Sequence, residues 1–340
     1  MAAIADISVS VRMSGQVWKI AAIAVVLLLA TVGSLITGGR SDVGLTDIFT
    51  LLTGAEDIAA TTMRDIRMPR TAVAALVGVN LALAGVVLQA LTRNPLASPA
   101  ILGINQGAAL GLVAALVFPS ATGLALNSMA VAGALAAGAA TFAIAGGFGG
   151  RIDPLRLVLG GVAVGAFSFA AVRFAYTLED DLAHAVIRWT IGDIGDMRWH
   201  DAAPLAVFTF VGMLGGVALA QRLNMMALGD ASARGLGADP RWTLFLGAVL
   251  AAILAGASVT VAGPIAFVGL VVPHLARVMF GGDHRVLVPA AAALGAALML
   301  VADTLSKLIA APSEIPVGLV AALIGAPWFL YLTLTSEALE

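Results

Sequence analysis

The chain has no cysteine among its 340 residues, and only 11% of its residues are Asp, Glu, Lys or Arg. The first absence excludes a disulfide framework and any thiolate metal site. The second excludes an ordinary soluble domain, which carries charge on roughly a quarter of its residues. Lysine occurs only at Lys19, after Trp18, and Lys307, after Ser306. No Gly-Lys-Ser/Thr phosphate loop can therefore form, and the chain is not its own P-loop ATPase. His184, His200, His274 and His284 show no metal-ligand spacing, and neither HExxH nor Gly-x-Ser-x-Gly is present. These absences argue against an intramembrane protease, a metalloenzyme or a resident cofactor. The formal net charge of −2 comes with no basic run that could bind nucleic acid.

What is abundant is apolar surface. Hydrophobic residues make up 60% of the chain and the mean hydropathy is +1.01. Several windows reach the roughly 20 residues needed to cross hydrocarbon, so the fold class is all-α, a polytopic membrane protein. Apolar runs place ten segments near 18–37, 69–91, 99–118, 123–147, 155–177, 202–222, 242–262, 265–280, 286–309 and 316–335. They form a single transmembrane domain over 1–340, with 1–17 as an N-terminal segment and 228–240 as a polar element between spans. The run Ile20–Ile36 follows Arg12 and Lys19 as a signal peptide would, but no small-x-small cleavage site precedes Gly38-Gly39-Arg40. It is read as a span.

An even number of spans puts both termini on one side. With that side inside, 10 basic residues fall at cytoplasmic ends (12, 19, 93, 151, 156, 222, 234, 241, 277, 285) and 8 outside (40, 64, 67, 70, 173, 188, 198, 307). The margin favours a cytoplasmic-membrane protein with both termini cytoplasmic. Two outer segments, Gly38–Met68 and Leu178–His200, are long enough to carry structure. Ala183–Ile191 in the second suits a short interfacial helix.

The polar stretches inside this apolar chain are the candidates for function. Gly229-Asp230-Ala231-Ser232-Ala233-Arg234-Gly235-Leu236-Gly237 is a glycine-punctuated island and reads as a handle for a soluble partner. Arg93-Asn94-Pro95-Leu96-Ala97-Ser98-Pro99 reads as a tight turn, since its prolines stop one helix and start the next. Gln89, Asn105 and Gln106 place amides at membrane depth, where a polar group needs a partner or a water-lined cavity. Gly103, Gly107 and Gly111 suit either close helix packing or a pathway wall. Gly263-Pro264 breaks the chain between segments seven and eight, and Pro273 interrupts the eighth. Asp303 and Lys307, four apart, can neutralise each other, or Lys307 can snorkel outward. Arg173 either snorkels to the outer interface or meets an anionic group in a pathway.

These residues resemble the FecCD family, the permeases of type II ABC importers for iron-siderophores, haem and vitamin B12. The resemblance rests on Arg67–Arg70, Arg93–Pro99, Leu102–Ala108, Leu228–Gly237, Gly263–His274, Asp283–Arg285, Glu314–Gly318 and Gly325–Pro327, in order along nearly the whole chain. It implies a fold like the vitamin B12 importer permease, about ten helices per subunit. It also implies a second permease subunit, the same chain or a paralogue, an ATP-binding cassette ATPase dimer that holds ATP and Mg, and a periplasmic or lipid-anchored substrate-binding protein. Under it, Gly229, Asp230, Ala233, Arg234, Gly235, Leu236 and Gly237 are the ATPase-coupling element. Arg67, Arg70 and Lys307 are binding-protein docking residues, with Lys307 standing where the relative has Arg. Asn94 and Leu96 belong to an inner gate, and Asn105, Gln106 and Arg173 are assigned to the pathway. Pro154 and Leu155 depart from the relative's small hydroxyl residues, so the second gate is not carried over. The expected cargo is a ferric siderophore, with haem or vitamin B12 as the alternative. An ion-coupled secondary transporter is the rival reading from another class, and Asp303 is the one carboxylate in the spans that could serve it. A structural or receptor-like bundle is a further rival, which would leave an inner polar handle and an outer basic triad in one chain unexplained.

Overall fold

The computed structural model describes residues 2–38, 58–116, 123–147, 153–178 and 190–335, and in them the chain is built from helices. Ten helices of at least 13 residues and one short helix follow in order: α1 (Ala2–Ile36), α2 (Met68–Thr92), α3 (Ile104–Leu116), α4 (Gly123–Ile144), α5 (Pro154–Leu178), α6 (Trp199–Ala227), α7 (Asp230–Gly235), α8 (Pro240–Ala262), α9 (Val268–Phe280), α10 (His284–Leu308) and α11 (Val317–Thr335). A helical turn at Ile58–Thr62 and a π-helical turn at Met63–Arg67 run directly into α2. Six helices are long and apolar enough to cross a membrane, and α3, α4, α9 and α11 contribute shorter apolar stretches.

Helix starts follow local chemistry. Asp239 caps α8 by accepting from the Arg241 backbone N at 2.9 Å, with Pro240 in the first turn. Asp283 caps α10 by accepting from the Arg285 backbone N at 3.0 Å. Both satisfy donors that the first helical turn leaves unpaired, and proline costs nothing where no intrahelical N–H bond is made.

α2 is the central post, buried along most of its length and packed against α10, α8, α6 and α9. Its glycines allow this. A Cβ on Gly78 would lie 2.1 Å from the Gly295 carbonyl oxygen, and one on Gly85 would lie 2.0 Å from that of Gly269. Backbone therefore meets backbone, the contact that drives association where lipid removes the hydrophobic incentive. α3 and α4 use the same device: a Cβ on Gly111 would lie 2.0 Å from the Met129 carbonyl oxygen. α3, α4 and α5 pack on one another, and α4 joins this group to α8.

Several boundaries differ from the sequence expectation. α1 begins at Ala2, so residues 2–17 continue the first span as helix. α3 begins at Ile104 rather than near 99, because residues 99–103 form turns that end on Gly103 at φ 72°. α6 extends to Ala227, past Arg222. Pro273 does not interrupt the eighth segment; α9 passes through it, and the break lies earlier, at Gly263–Phe267, where Gly263 (φ 70°) and Phe267 (φ 67°) take left-handed backbone. Residues 39–57 of the first outer segment and 183–189 of the expected interfacial helix lie outside the described residues.

The packing makes a contrast that one comparison checks. Gly85→Ala forces a methyl into the α2–α9 contact, and overpacking of this kind costs about 1–3 kcal/mol. Gly235→Ala, whose Cβ would meet nothing within 4 Å, leaves stability unchanged. Thermal unfolding of the detergent-purified variants should show a lowered midpoint for the first and the wild-type midpoint for the second.

Candidate functional site

The predicted handle forms a distinct turn-and-helix at one end of the bundle. Gly229 (φ 95°) and Gly237 (φ 86°) bracket α7, and both need the left-handed freedom that glycine alone has without strain. Ala233 is fully buried beneath the handle, while Leu228, Arg234, Gly235, Leu236 and Gly237 are exposed. Asp230 is not a free contact. It is ion-paired with Arg93, whose Nε also donates to the Met226 carbonyl at 3.1 Å. Arg93 takes left-handed backbone (φ 51°) at the end of α2. One side chain thus fastens the turn after α2 to the handle.

That turn is held internally as well. Asn94 Oδ1 accepts from the Leu96 backbone N at 2.9 Å, so the Asn94 amide shapes the loop, and Leu96 is half-buried in it. Gln89, one turn back, donates to the Leu270 carbonyl at 3.3 Å and accepts from Arg277 Nη2 at 3.3 Å. Nearby, Asn224 Nδ2 donates to Asp283 Oδ1 at 2.6 Å, and the His284 backbone N donates to Asn224 Oδ1 at 2.9 Å. The Arg285 backbone N–H and the Asn224 amide hold the Asp283 carboxyl below its ordinary pKa.

The opposite end carries a buried ion network. Asp303 has 0% side-chain exposure, Lys307 2% and Arg70 7%. Asp303 Oδ1 accepts from Arg70 Nε at 2.7 Å, and its Oδ2 accepts from Lys307 Nζ at 2.5 Å and from Ser34 Oγ at 2.6 Å. Arg70 Nη1 reaches Glu314 at 2.5 Å, and Lys307 Nζ also donates to the Ser34 carbonyl at 2.8 Å. Two cations thus balance two anions contributed by α2, α10 and the loop before α11, with α1 supplying the serine. Lys307 accordingly does not snorkel; it points inward. Arg67 Nη1 donates to the carbonyls of Leu35 and Ile36, both at 2.9 Å. Of the predicted docking residues, Arg70 and Lys307 are committed to Asp303, yet all three line one cleft of about 390 Å³ with Thr37, Ile66 and Glu314.

The predicted pathway residues are spread over two helices. Asn105 is buried and Gln106 half-buried on α3, and among the described residues their side-chain oxygens have no hydrogen-bond partner. Arg173 lies on an exposed face of α5, 6.0 Å over the Phe169 ring. Sequence reasoning missed Ser34, Glu314 and the Arg93–Asp230 tether, whose members are far apart in the chain. It also missed Asn80, fully buried on α2 with neither amide atom bonded among the described residues. An asparagine inside a long apolar run was the signal for that one.

Comparison with known proteins bears on the chain as a whole. The FecCD transport family model matches residues 24–335. The Fe(3+)-citrate import system permease protein YfmD of Bacillus subtilis is 38% identical, over 91% of this chain and 92% of its own. The hemin transport system permease protein HmuU of Yersinia pestis is 41% identical over 79% and 82%. The cobalamin import system permease protein BtuC of Halobacterium salinarum is 39% identical over 82% and 75%. Among solved structures, an inward-facing conformation of a metal-chelate type ABC transporter superposes with a TM-score of 0.79 at 27% identity, covering 93% of this chain and 98% of that one.

The network carries a stability prediction. Asp303→Ala leaves Arg70 and Lys307 buried against Glu314 alone, and breaking a buried pair costs about 3–5 kcal/mol. Unfolding in denaturant should show a loss of that size, with Arg234→Ala, an exposed side chain, close to wild type. Equal stability of the two variants would mean that Asp303 does not hold the network together.

Proposed function

Starting from a chain that belongs to the FecCD transport family, a membrane permease subunit of ABC importers and not an enzyme, we propose that its cargo is a ferric siderophore or related iron chelate. The reading is carried by the iron-citrate permease match over 91% of the chain, together with the metal-chelate transporter that superposes on 93% of it. Relatives named for hemin and cobalamin are equally similar in identity, which makes haem or a corrinoid the second reading.

In this proposal the permease pairs with a second permease subunit, and both termini and the α7 end face the cytoplasm. A separate ATPase dimer, holding ATP and Mg, grips α7 through Arg234 and the exposed Leu236, with Ala233 and the Arg93–Asp230 pair holding the handle in place. A substrate-binding protein docks at the other end, over the cleft of Arg67, Arg70 and Lys307. All three are buried and already bonded, Arg67 to the Leu35 and Ile36 carbonyls and Arg70 and Lys307 to Asp303, so they contribute field rather than free hydrogen bonds. The cargo passes by alternating access. The ATPase must grip the handle differently in its two nucleotide states, since only differential binding shifts a conformational equilibrium. Asn105 and Gln106 have acceptor oxygens to spare for a passing chelate or its water, and Arg173 suits an anionic one.

The rival ion-coupled transporter needs a carboxylate free to titrate. Asp303 accepts from three side chains and is the counter-ion of two buried cations, so it is committed to the network and leaves no oxygen free for a coupling ion.

The test is ATPase activity in lipid of the permease assembled with its ATPase, with a binding protein loaded in turn with ferric siderophore, haem or cobalamin. Stimulation by the ferric form alone is expected; stimulation by haem or cobalamin alone reassigns the cargo, and no stimulation by any of them sinks the importer reading. Arg234→Glu should keep the fold and lower transport roughly tenfold or more, the scale of losing one charged contact at an interface. Wild-type transport in that variant overturns the handle assignment.

A further inference from the structure

We propose that the groove between α4 and α8 holds one acyl chain of an anionic phospholipid, with Arg241 gripping the headgroup phosphate. The half-open groove offers about 110 Å³, room for a short stretch of hydrocarbon. Ile104 and Gly138 lie at its floor, Phe142 and Ala139 on one wall, Leu244 and Ala248 on the other. Among the described residues Arg241 is the only charged one that lines it. The Arg241 backbone N bonds Asp239, but among the described residues its guanidinium has no hydrogen-bond or ion-pair partner.

Depth and charge choose the occupant. Arg241 opens α8, a helix apolar enough to cross the bilayer. The adjacent Trp242 and Phe245 are exposed and meet edge to face at 5.9 Å. An exposed tryptophan at the start of a span marks the level of the headgroups. From Arg241 to Ala252, at the far end of the lining, is about 16 Å of helix. That equals one leaflet of a hydrocarbon core about 30 Å thick. A cation at the headgroup level over an apolar slot one leaflet deep is complementary to a single lipid. The unpaired charge favours an anionic headgroup over a zwitterionic one by roughly fivefold. The inference is independent of the cargo and of the handle's partner.

The experiment uses the full-length permease in mild detergent, offered phosphatidylglycerol and phosphatidylcholine with identical acyl chains, with bound lipids counted by native mass spectrometry. The first lipid bound should be phosphatidylglycerol by roughly fivefold. Arg241→Gln should abolish that preference and Arg241→Lys should keep it. Ala139→Phe or Ala248→Phe, filling the groove from opposite walls, should lower occupancy of the first site for both lipids. Equal binding of the two lipids by the wild type, an unchanged preference in Arg241→Gln, or full occupancy in both groove-filling variants overturns the proposal. Inorganic phosphate at matched concentration serves as the control for source: if it displaces the phosphatidylglycerol, the site recognises a free anion and the lipid assignment fails.

Discussion

A carboxylate with no access to water is the constraint on which one end of this bundle depends. Asp303, Arg70 and Lys307 are buried together, and each charge at that depth is offset by its partners. The three side chains and Ser34 therefore fix the relative positions of α1, α2 and α10. Glu314 extends the same balance to the loop before α11. Each helix is apolar enough to move freely in lipid, so a polar network with a demanding geometry supplies register that apolar contact does not. That end of the molecule is built to stay together.

The other end is held differently. There the contacts are caps and loop amides: Asn94 in its turn, Asp239 and Asp283 at helix starts, and Asn224 between α6 and α10. These bonds are exposed or half-exposed, and apart from the Asn224 bridge they lie within a single turn or cap; the handle is anchored by one buried alanine and one ion pair. A rigid end and an adaptable end suit a molecule whose family moves cargo through the membrane.

The number of long helices, the break at Gly263–Pro264 and the position of the handle were legible in the sequence because each follows from local chemistry. Apolar windows mark spans, glycine and proline mark the ends, and a charged island within lipid-length runs stands out against them. Less legible were the facings. Lys307 and Arg70 carry charge, and from sequence a charge near a span's end points to water; whether it finds a carboxylate inside depends on helices far apart in the chain. The same holds for Arg93 and Asp230, 137 residues apart. The start of α3 was misplaced because Pro99 suggested a first helical turn, whereas the chain needs Gly103 in left-handed backbone before the helix can begin.

The placement of Arg93 has a mechanical corollary. Its backbone ends α2, its guanidinium holds both the end of α6 and the first residue of α7, and the loop it opens leads to the start of α3. A load applied to α7 therefore divides: part travels along the covalent chain into α6 and α8, and part crosses the ion pair to the α2–α3 corner.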